Sequence, residues 1–241
     1  MQGTTATLEE LSLALDEAGI ATTQRQRELL ALHLDLVIER NRVVNLTRIT
    51  SVREAAYLHV VDSLLLLEAF SRAPEGPFVD MGTGAGFPGI PLAIVTGRPA
   101  VLVDSVGKKV AAVEDFVREL GLGDAVRAQA CRVEDFARQN RNAFAAVTAR
   151  AVAQTNVIVE YAAPLLARGG HLVVAKARPT AEEIEAGDRA ARVCGLRRVS
   201  RETFSLPHDM GHREILVYQR TANPSVRLPR AVGMAKHRPL G

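Results

Sequence analysis

Residues 78–89, Phe78-Val79-Asp80-Met81-Gly82-Thr83-Gly84-Ala85-Gly86-Phe87-Pro88-Gly89, read as a buried strand that ends in a carboxylate and turns through glycines into a helix. Gly82 and Gly84 tolerate positive φ and let backbone N–H groups approach a ligand closely, which a Cβ would obstruct. Pro88 and Pro91 fit a first helical turn, where a missing N–H costs little. The dinucleotide fingerprint Gly-x-Gly-x-x-Gly occurs only at Gly84, Gly86 and Gly89, two residues too far past the strand, so the GxGxG register at Gly82, Gly84 and Gly86 fits better. Asp80 stands just before it, and Asp104 closes the next strand, Ala100–Asp104. That set suits an adenosyl ligand with a cationic amino-acid end, such as S-adenosylmethionine. A glycine turn after a strand is also found as a plain tight connection; the offset of roughly 20 residues to Asp104, where a ribose-binding carboxylate is expected, favours the cofactor.

From Pro77 onward the pattern alternates strand and helix. Strands are predicted at Phe78–Met81, Ala100–Asp104, Ala125–Ala130, Phe144–Ala149 and His171–Ala177, and helices at Pro88–Thr96, Lys108–Leu120, Thr155–Ala167 and Glu182–Val193. Two later β-rich runs, Arg198–Phe204 and Glu214–Tyr218, predict a closing antiparallel pair. A mostly parallel sheet with such a hairpin is the methyltransferase version of the doubly wound, Rossmann-like α/β fold. Ahead of it, Leu30, Leu34, Val37 and Ile38 recur at helical spacing, and His33 lies within that stripe as a packed or partly exposed residue. Capping-box patterns mark helix starts at Thr7 with Glu10, Thr23 with Gln26, Ser51 with Glu54, and Thr180 with Glu183. The expected division is a helical N-terminal cap over 1–72, a methyltransferase domain over 73–220 and a basic C-terminal tail over 221–241.

Composition excludes more than it selects. With 241 residues, 47% of them hydrophobic, the chain can bury a full core. It has no apolar run of membrane-spanning length and no signal-peptide layout at Met1–Ile20, so a soluble, cytoplasmic protein with no membrane partner is expected; the chain is separately expected to be a monomer. Cys131 and Cys194 have neither CxxC nor metal-ligand spacing and read as reduced, small apolar residues; no metal is expected. The net charge is only +3, but Arg220, Arg227, Arg230, Lys236 and Arg238 follow one another with no acid between them. That loose, basic tail reads either as a phosphate-binding arm or as a solvated end.

Ligands of open parallel sheets sit over the carboxyl ends of the strands. The candidates there are Asp80, Asp104-Ser105, Cys131-Arg132-Val133-Glu134, Arg150 and Lys176. Asp104 would accept from ribose hydroxyls, Val133 and Glu134 would flank an adenine, and Arg150 would face a methyl acceptor. Glu134 read as a helix-start acid, and Arg150 and Lys176 as salt-bridge partners, are the structural alternatives. No Asn-Pro-Pro-Tyr or Asp-Pro-Pro-Tyr follows the fourth strand to orient an exocyclic amine, and neither cysteine sits where a C5-attacking nucleophile would be expected. An acceptor that is already nucleophilic fits better. Guanine N7 has a free lone pair and loses no proton on methylation, so positioning and desolvation can carry most of the catalysis.

From about Asn41 onward the chain resembles the bacterial glucose-inhibited division protein B family, the 16S rRNA guanine-N7 methyltransferases. The resemblance runs through Asn45-Leu46-Thr47, His59-x-x-Asp62-Ser63, Asp80 to Leu92 with its specific Gly-Phe-Pro-Gly-Ile-Pro-Leu extension, Asp104-Ser105-Val106-Gly107-Lys108-Lys109, Arg132-Val133-Glu134, Arg150-Ala151, and the closing Leu228-Pro229-Arg230 and Arg238-Pro239-Leu240. It implies S-adenosylmethionine as methyl donor and, as partner, 16S rRNA or the small ribosomal subunit, methylated at one guanine near the decoding centre. Carried over, it assigns Gly82, Phe87, Val133, Glu134 and Arg150 to the donor site, to which the residue-level reading adds Asp80, Gly84, Gly86, Asp104 and Ser105. Asn45, Thr47, His59, Asp62 and Ser63 either wall the guanine or join cap to core. Lys108 and Lys109 join Arg227, Arg230, Lys236 and Arg238 as expected RNA contacts. Arg40-Asn41 departs from the family's Trp-Asn, and the chain has no Trp. Two other classes stay open: an NAD(P)-linked oxidoreductase using the shifted glycine register, and a non-catalytic RNA-binding or assembly protein.

Overall fold

Five strands from residue 78 onward run parallel, and two later ones close the sheet antiparallel. The computed structural model describes residues 2–241, with side chains from Thr5 onward. The strands are β1 Phe78–Met81, β2 Ala100–Asp104, β3 Val126–Ala130, β4 Phe144–Arg150, β5 Leu166–Lys176, β6 Leu196–Ser205 and β7 His212–Arg220, in spatial order β3-β2-β1-β4-β5-β7-β6. β1 to β5 run parallel, β7 runs antiparallel to β5, and β6 antiparallel to β7. The order reverses between β1 and β4, which opens the crevice where such sheets hold ligands.

The helices are α1 Gln2–Glu17, α2 Gln24–Asn41, α3 Val52–Ala55, α4 Asp62–Leu64, α5 Leu67–Ser71, α6 Gly89–Thr96, α7 Gly107–Glu119, α8 Val133–Gln139, α9 Thr155–Ala162, α10 Ala181–Val193 and α11 Met234–His237. They divide by sheet face, as strand alternation requires. Leu11, Leu34, Tyr57 and Phe70 share one apolar cluster with Phe78, Ile90, Leu102 and Phe116, so α1 to α7 cover one face. Val79, Met81, Val103 and Val147 point the other way, into a cluster with Phe136, Ile158 and Ala190 from α8 to α10 and with Leu228 and Ala235 of the C-terminal segment. The N-terminal helices therefore pack into the sheet's own core.

Three caps form where the hydroxyls predict them. Thr23 and Gln26 make a reciprocal capping box, and Ser51 and Thr180 accept from the backbone of Glu54 and Glu183. Thr7 does not cap: α1 already runs from Gln2, and the buried Thr7 hydroxyl donates to Asp35 Oδ1 instead. The helix predicted to reach Ala167 stops at Ala162, because Pro164 has no N–H and crowds the preceding turn. The freed residues extend β5 back to Leu166, with a register irregularity opposite Phe144 to Ala146. Between α3 and α4, residues Ala56–Val61 form a π-helical turn, a form concentrated at functional sites.

Candidate active site

The Gly82-Thr83-Gly84-Ala85-Gly86 turn leaves β1 with φ of 72°, 60° and 92° at its three glycines, a region that side chains with a Cβ resist. Its N–H groups are turned into the protein. Gly82 and Thr83 donate to the Val103 carbonyl at 2.7 and 3.1 Å, Gly86 to Thr83 O at 2.9 Å, and Gly84 to Asp104 Oδ2 at 3.1 Å. The expectation that these amides face a ligand is thus corrected; the glycines supply space. A Cβ on Gly84 would meet nothing nearer than Gly82 O at 4.0 Å, whereas one on Gly82 would strike Val152 Cγ2 at 2.8 Å.

Asp104 ends β2 with Oδ2 on Gly84 and Oδ1 accepting from Val106 N at 2.9 Å, so its carboxylate is fixed at the lip of the turn with further lone pairs on both oxygens. Asp80 is different. It is fully buried beneath the turn, where Oδ2 accepts from Gly89 N at 3.0 Å and Oδ1 from the Thr148 hydroxyl at 2.9 Å. The sequence reading puts it among ligand contacts; the structure makes it the buttress of the turn, because its side chain points to the α6 side of the sheet. Burial pushes its pKa up to about 6 against the lowering effect of those donors.

Above these strand ends lies a cleft of about 820 Å³. Gly82, Gly84, Asp104, Ser105, Arg150 and Lys176 line its sheet side; Thr47 from the loop after α2, with His59 and Asp62 from the helical turns, forms the opposite wall, and Lys109 and Lys236 also line it. A recess of about 80 Å³ continues from it between Gly82, Asp104, Cys131, Val133, Glu134 and Tyr161. Cleft and recess share Gly82, Asp104 and Ser105, so an adenosyl group in the apolar recess would leave its sulfonium end in the polar cleft. Open space in front of Gly84, a fixed carboxylate beside it and an apolar slot beyond fit S-adenosylmethionine. Glu134 is buried at the recess, with Oε1 accepting from Gly233 N at 2.8 Å. One of its oxygens is therefore committed to the C-terminal segment, which no local pattern predicted.

Arg150 both lines the cleft and joins its walls. Its Nη1 donates to Leu58 O at 2.9 Å and Asp62 Oδ2 at 2.7 Å, while Asp62 Oδ1 accepts from Arg213 Nε at 2.6 Å. Arg213 was absent from the sequence candidates, which were sought at the carboxyl ends of strands; in the antiparallel β7 the amino end faces the ligand side. Phe87 is buried between two imidazoles: His59 stacks on it at 4.7 Å and 13°, His33 lies tilted at 4.5 Å, and the Arg150 guanidinium carbon sits 5.6 Å from its ring centre. His59 Nε2 is 2.9 Å from the Thr47 hydroxyl, and burial, followed by the Arg150 charge, lowers its pKa to about 4. The ring is neutral at pH 7. His33, fully buried with Nε2 on Ala85 O at 3.0 Å, is lowered to about 3, chiefly by burial.

The remaining expected residues scatter. Asn45 is exposed outside the cleft; Asn41 shapes that loop, accepting from Leu46 and Thr47 N–H at 2.8 and 2.9 Å. Ser63 is buried against its own helical turn, donating to His59 O. Arg40, in the place of the family's Trp, is paired with Asp115. Lys108 is exposed on the first turn of α7. The tail is not loose: Arg230 Nε donates to the buried Glu160 at 2.6 Å with Nη2 on the second oxygen, and Arg141 and Arg138 hold the carbonyls of Leu228 and Arg230. Arg230 is thus a committed cation, as is Arg220, bound to Asn142 and Leu166 O. Arg227, Lys236 and Arg238 remain exposed.

A parallel sheet reversed at β1 and β4, an antiparallel β7 inserted beside β5 and a glycine cradle at the crevice define the Rossmann-like fold of S-adenosylmethionine-dependent methyltransferases. Consistent with it, a structure of geranyl diphosphate methyltransferase in complex with SAM superposes on 70% of this chain and 90% of that one with a TM-score of 0.54 at 15% identity. The chain belongs to the rRNA small subunit methyltransferase G (GidB) family, whose sequence model matches residues 26–215. It is 39% identical over 231 residues to the ribosomal RNA small subunit methyltransferase G of Desulfitobacterium hafniense (strain Y51), covering 95% of each chain. Over 213 residues it is 41% identical to that of Gloeobacter violaceus (strain ATCC 29082 / PCC 7421), covering 86% of this chain and 83% of the other.

Proposed function

We propose that the protein transfers a methyl group from S-adenosylmethionine to N7 of one guanine in small-subunit 16S rRNA near the decoding centre, acting in the cytoplasm as a monomer. The observation that carries the acceptor is the state of the cleft's titratable groups. His59 is neutral and a weak base at a pKa of about 4. Asp62 is held between Arg150 and Arg213, and Glu183 by Lys176 at 2.7 Å and by the Thr155 amide and hydroxyl. None is placed to remove a proton, which suits an acceptor that has none to lose.

The bound donor supplies an electrophilic methyl on a sulfonium, displaced in line as the N7 lone pair forms the new N–C bond and the C–S electron pair returns to sulfur. The chain's work is placement. Asp104 at the lip of the Gly84 turn would take the ribose hydroxyls, and Val133 and Glu134 the adenine. Arg150, with Nε and Nη2 free of hydrogen bonds among the described residues, would hold O6, a flanking phosphate or the donor carboxylate; a fork onto O6 and N7 together would occupy the reacting lone pair. Lys109, Lys236, Arg227 and Arg238 would meet the RNA backbone.

The oxidoreductase reading is not favoured, because the family model that matches the chain and the relative aligned over 95% of it are both rRNA small subunit methyltransferases. Small subunits lacking the modification, incubated with labelled S-adenosylmethionine and then mapped, test the whole reading. Label at N7 of a single guanine is expected. Label elsewhere overturns the acceptor, and no label in subunits or naked rRNA leaves a non-catalytic RNA-binding protein.

A further inference from the structure

At the far edge of the sheet from the cleft lies a second depression, about 720 Å³, between the end of α10 and β6. Its walls include Arg192 from α10 and Arg197, Arg198 and Arg201 from β6. β6 is the last strand in the sheet and has a register irregularity between Arg198 and Ser200, a bulge around the exposed Val199. An extra residue inverts the in-out alternation of every position beyond it. Before the bulge, Leu196 packs on the α10 side; after it, Phe204 packs on the opposite side. Arg198 and Arg201, an odd number of positions apart, consequently share the α10 face instead of opposing each other. Asp188 holds Arg198 at 2.8 Å, and Glu214 holds Arg201 at 2.7 Å. Arg192 and Arg197 are exposed and have no ion-pair partner among the described residues. The groove therefore has a net positive charge: Arg198 and Arg201 are engaged by carboxylates, while Arg192 and Arg197 are open, Arg197 from across the edge strand because its register opposite Gln219 sets it on the other face from Arg198.

We infer that this groove is a second contact for the phosphodiester backbone of the RNA substrate, a site separate from the cleft. The inference rests on the rRNA reading above, and the charge sign with paired planar donors is the recognition chemistry of phosphate. Geometry connects the two sites. Arg197 pairs with Gln219 and Thr203 with Glu214, which borders the cleft end of β5 through Lys176. Six residues along β6 span about 20 Å, so a strand or hairpin presenting its guanine to the cleft would reach the groove with phosphates several nucleotides away. Such a contact fixes orientation and register without reading sequence.

The test is the double variant Arg192→Gln with Arg197→Gln, with RNA binding measured by titration of a small-subunit rRNA fragment at several salt concentrations. Binding should weaken several-fold at moderate salt, and the slope of log affinity against log salt should flatten by about 1.4 to 1.8 units for two lost phosphates. In methyl transfer to the same fragment, KM for RNA should rise while kcat and donor affinity hold. An unchanged slope and KM would overturn the inference. Weakening seen only with assembled subunits and not with naked rRNA would assign the groove to a ribosomal protein and overturn it equally. Because binding is read independently of turnover, wild-type protein that binds the fragment without methylating it would refute the catalytic reading while leaving the groove decided by its slope.

Discussion

Two glycines, one in the turn after β1 and one at the start of α6, separate function from folding. Gly84 sits at φ 60° facing open space, while Gly89 is pressed between Leu102 and Asp80. Gly84→Ala should cost about 1 to 2 kcal/mol for a left-handed alanine and place a methyl in the cradle, lowering S-adenosylmethionine affinity in calorimetry far beyond its effect on melting temperature. Gly89→Ala should do the reverse, losing about 1 to 3 kcal/mol through overpacking with a weaker effect on the donor. Equal donor affinity in Gly84→Ala and wild type would remove the cradle from the site. Asp80 adds a pH signature. Its folded pKa of about 6 lies above the value of 3.8 it takes when unfolded, so the folded state holds the extra proton and stability falls as pH rises between these values. The loss approaches about 3 kcal/mol, and urea unfolding from pH 4 to pH 7 should show it in wild type and not in Asp80→Asn. These residues were legible unequally. The glycines and Asp104 lie in a contiguous pattern tied to backbone geometry, whereas the inward turn of Asp80 depends on Thr148 and Gly89 meeting it across β4 and α6.

Elements that follow from local periodicity agree with their sequence: β1 and β2 match residue for residue, and α7 and α10 begin within one residue of expectation. Those set by distant packing do not. Thr7-x-x-Glu10 has the letters of a capping box but lies inside α1, since the same letters serve an internal hydroxyl that finds Asp35. The π-helical turn of Ala56–Val61 carries no sequence mark, yet it aims His59 at Phe87 and offers Leu58 O to Arg150. Arg150 thus fastens the end of β4 to the helical wall while facing the cleft. Arg150→Ala should lower methyl transfer strongly and leave Asp62 with Arg213 alone. Arg150→Lys retains charge but cannot span Leu58 O and Asp62 while also presenting a planar fork to the cleft, so it should recover only part of the activity. Full label transfer to subunits by the alanine variant at saturating donor would show that the β4 end positions nothing.

At the scale of the whole molecule, the C-terminal segment changes meaning between sequence and structure. Read as letters it is a run of cations; folded, it is a strap across the α8 and α9 side of the sheet, with Leu228 and Ala235 in the core and Gly233 N on the recess carboxylate Glu134. Its anchor is Arg230 on Glu160, a carboxylate buried to 3% exposure. Removing Arg230 leaves that charge unpaired, so Arg230→Ala should cost about 3 to 5 kcal/mol, and Glu160→Gln in the same chain should restore much of it by making the buried group neutral. Deleting 227–241 should therefore do more than weaken RNA binding. With Arg230 committed, only Arg227, Lys236 and Arg238 are left to meet phosphates, and the salt slope should flatten by no more than about 2 to 3 units. Donor affinity should fall as well, because Glu134 loses the amide that orients it and Lys236 leaves the cleft. A deletion that flattened the slope yet left donor affinity and melting temperature unchanged would return the tail to a free basic arm. Loss of all three, with donor affinity kept in Arg227→Gln with Arg238→Gln, would fix it as part of the donor site's wall.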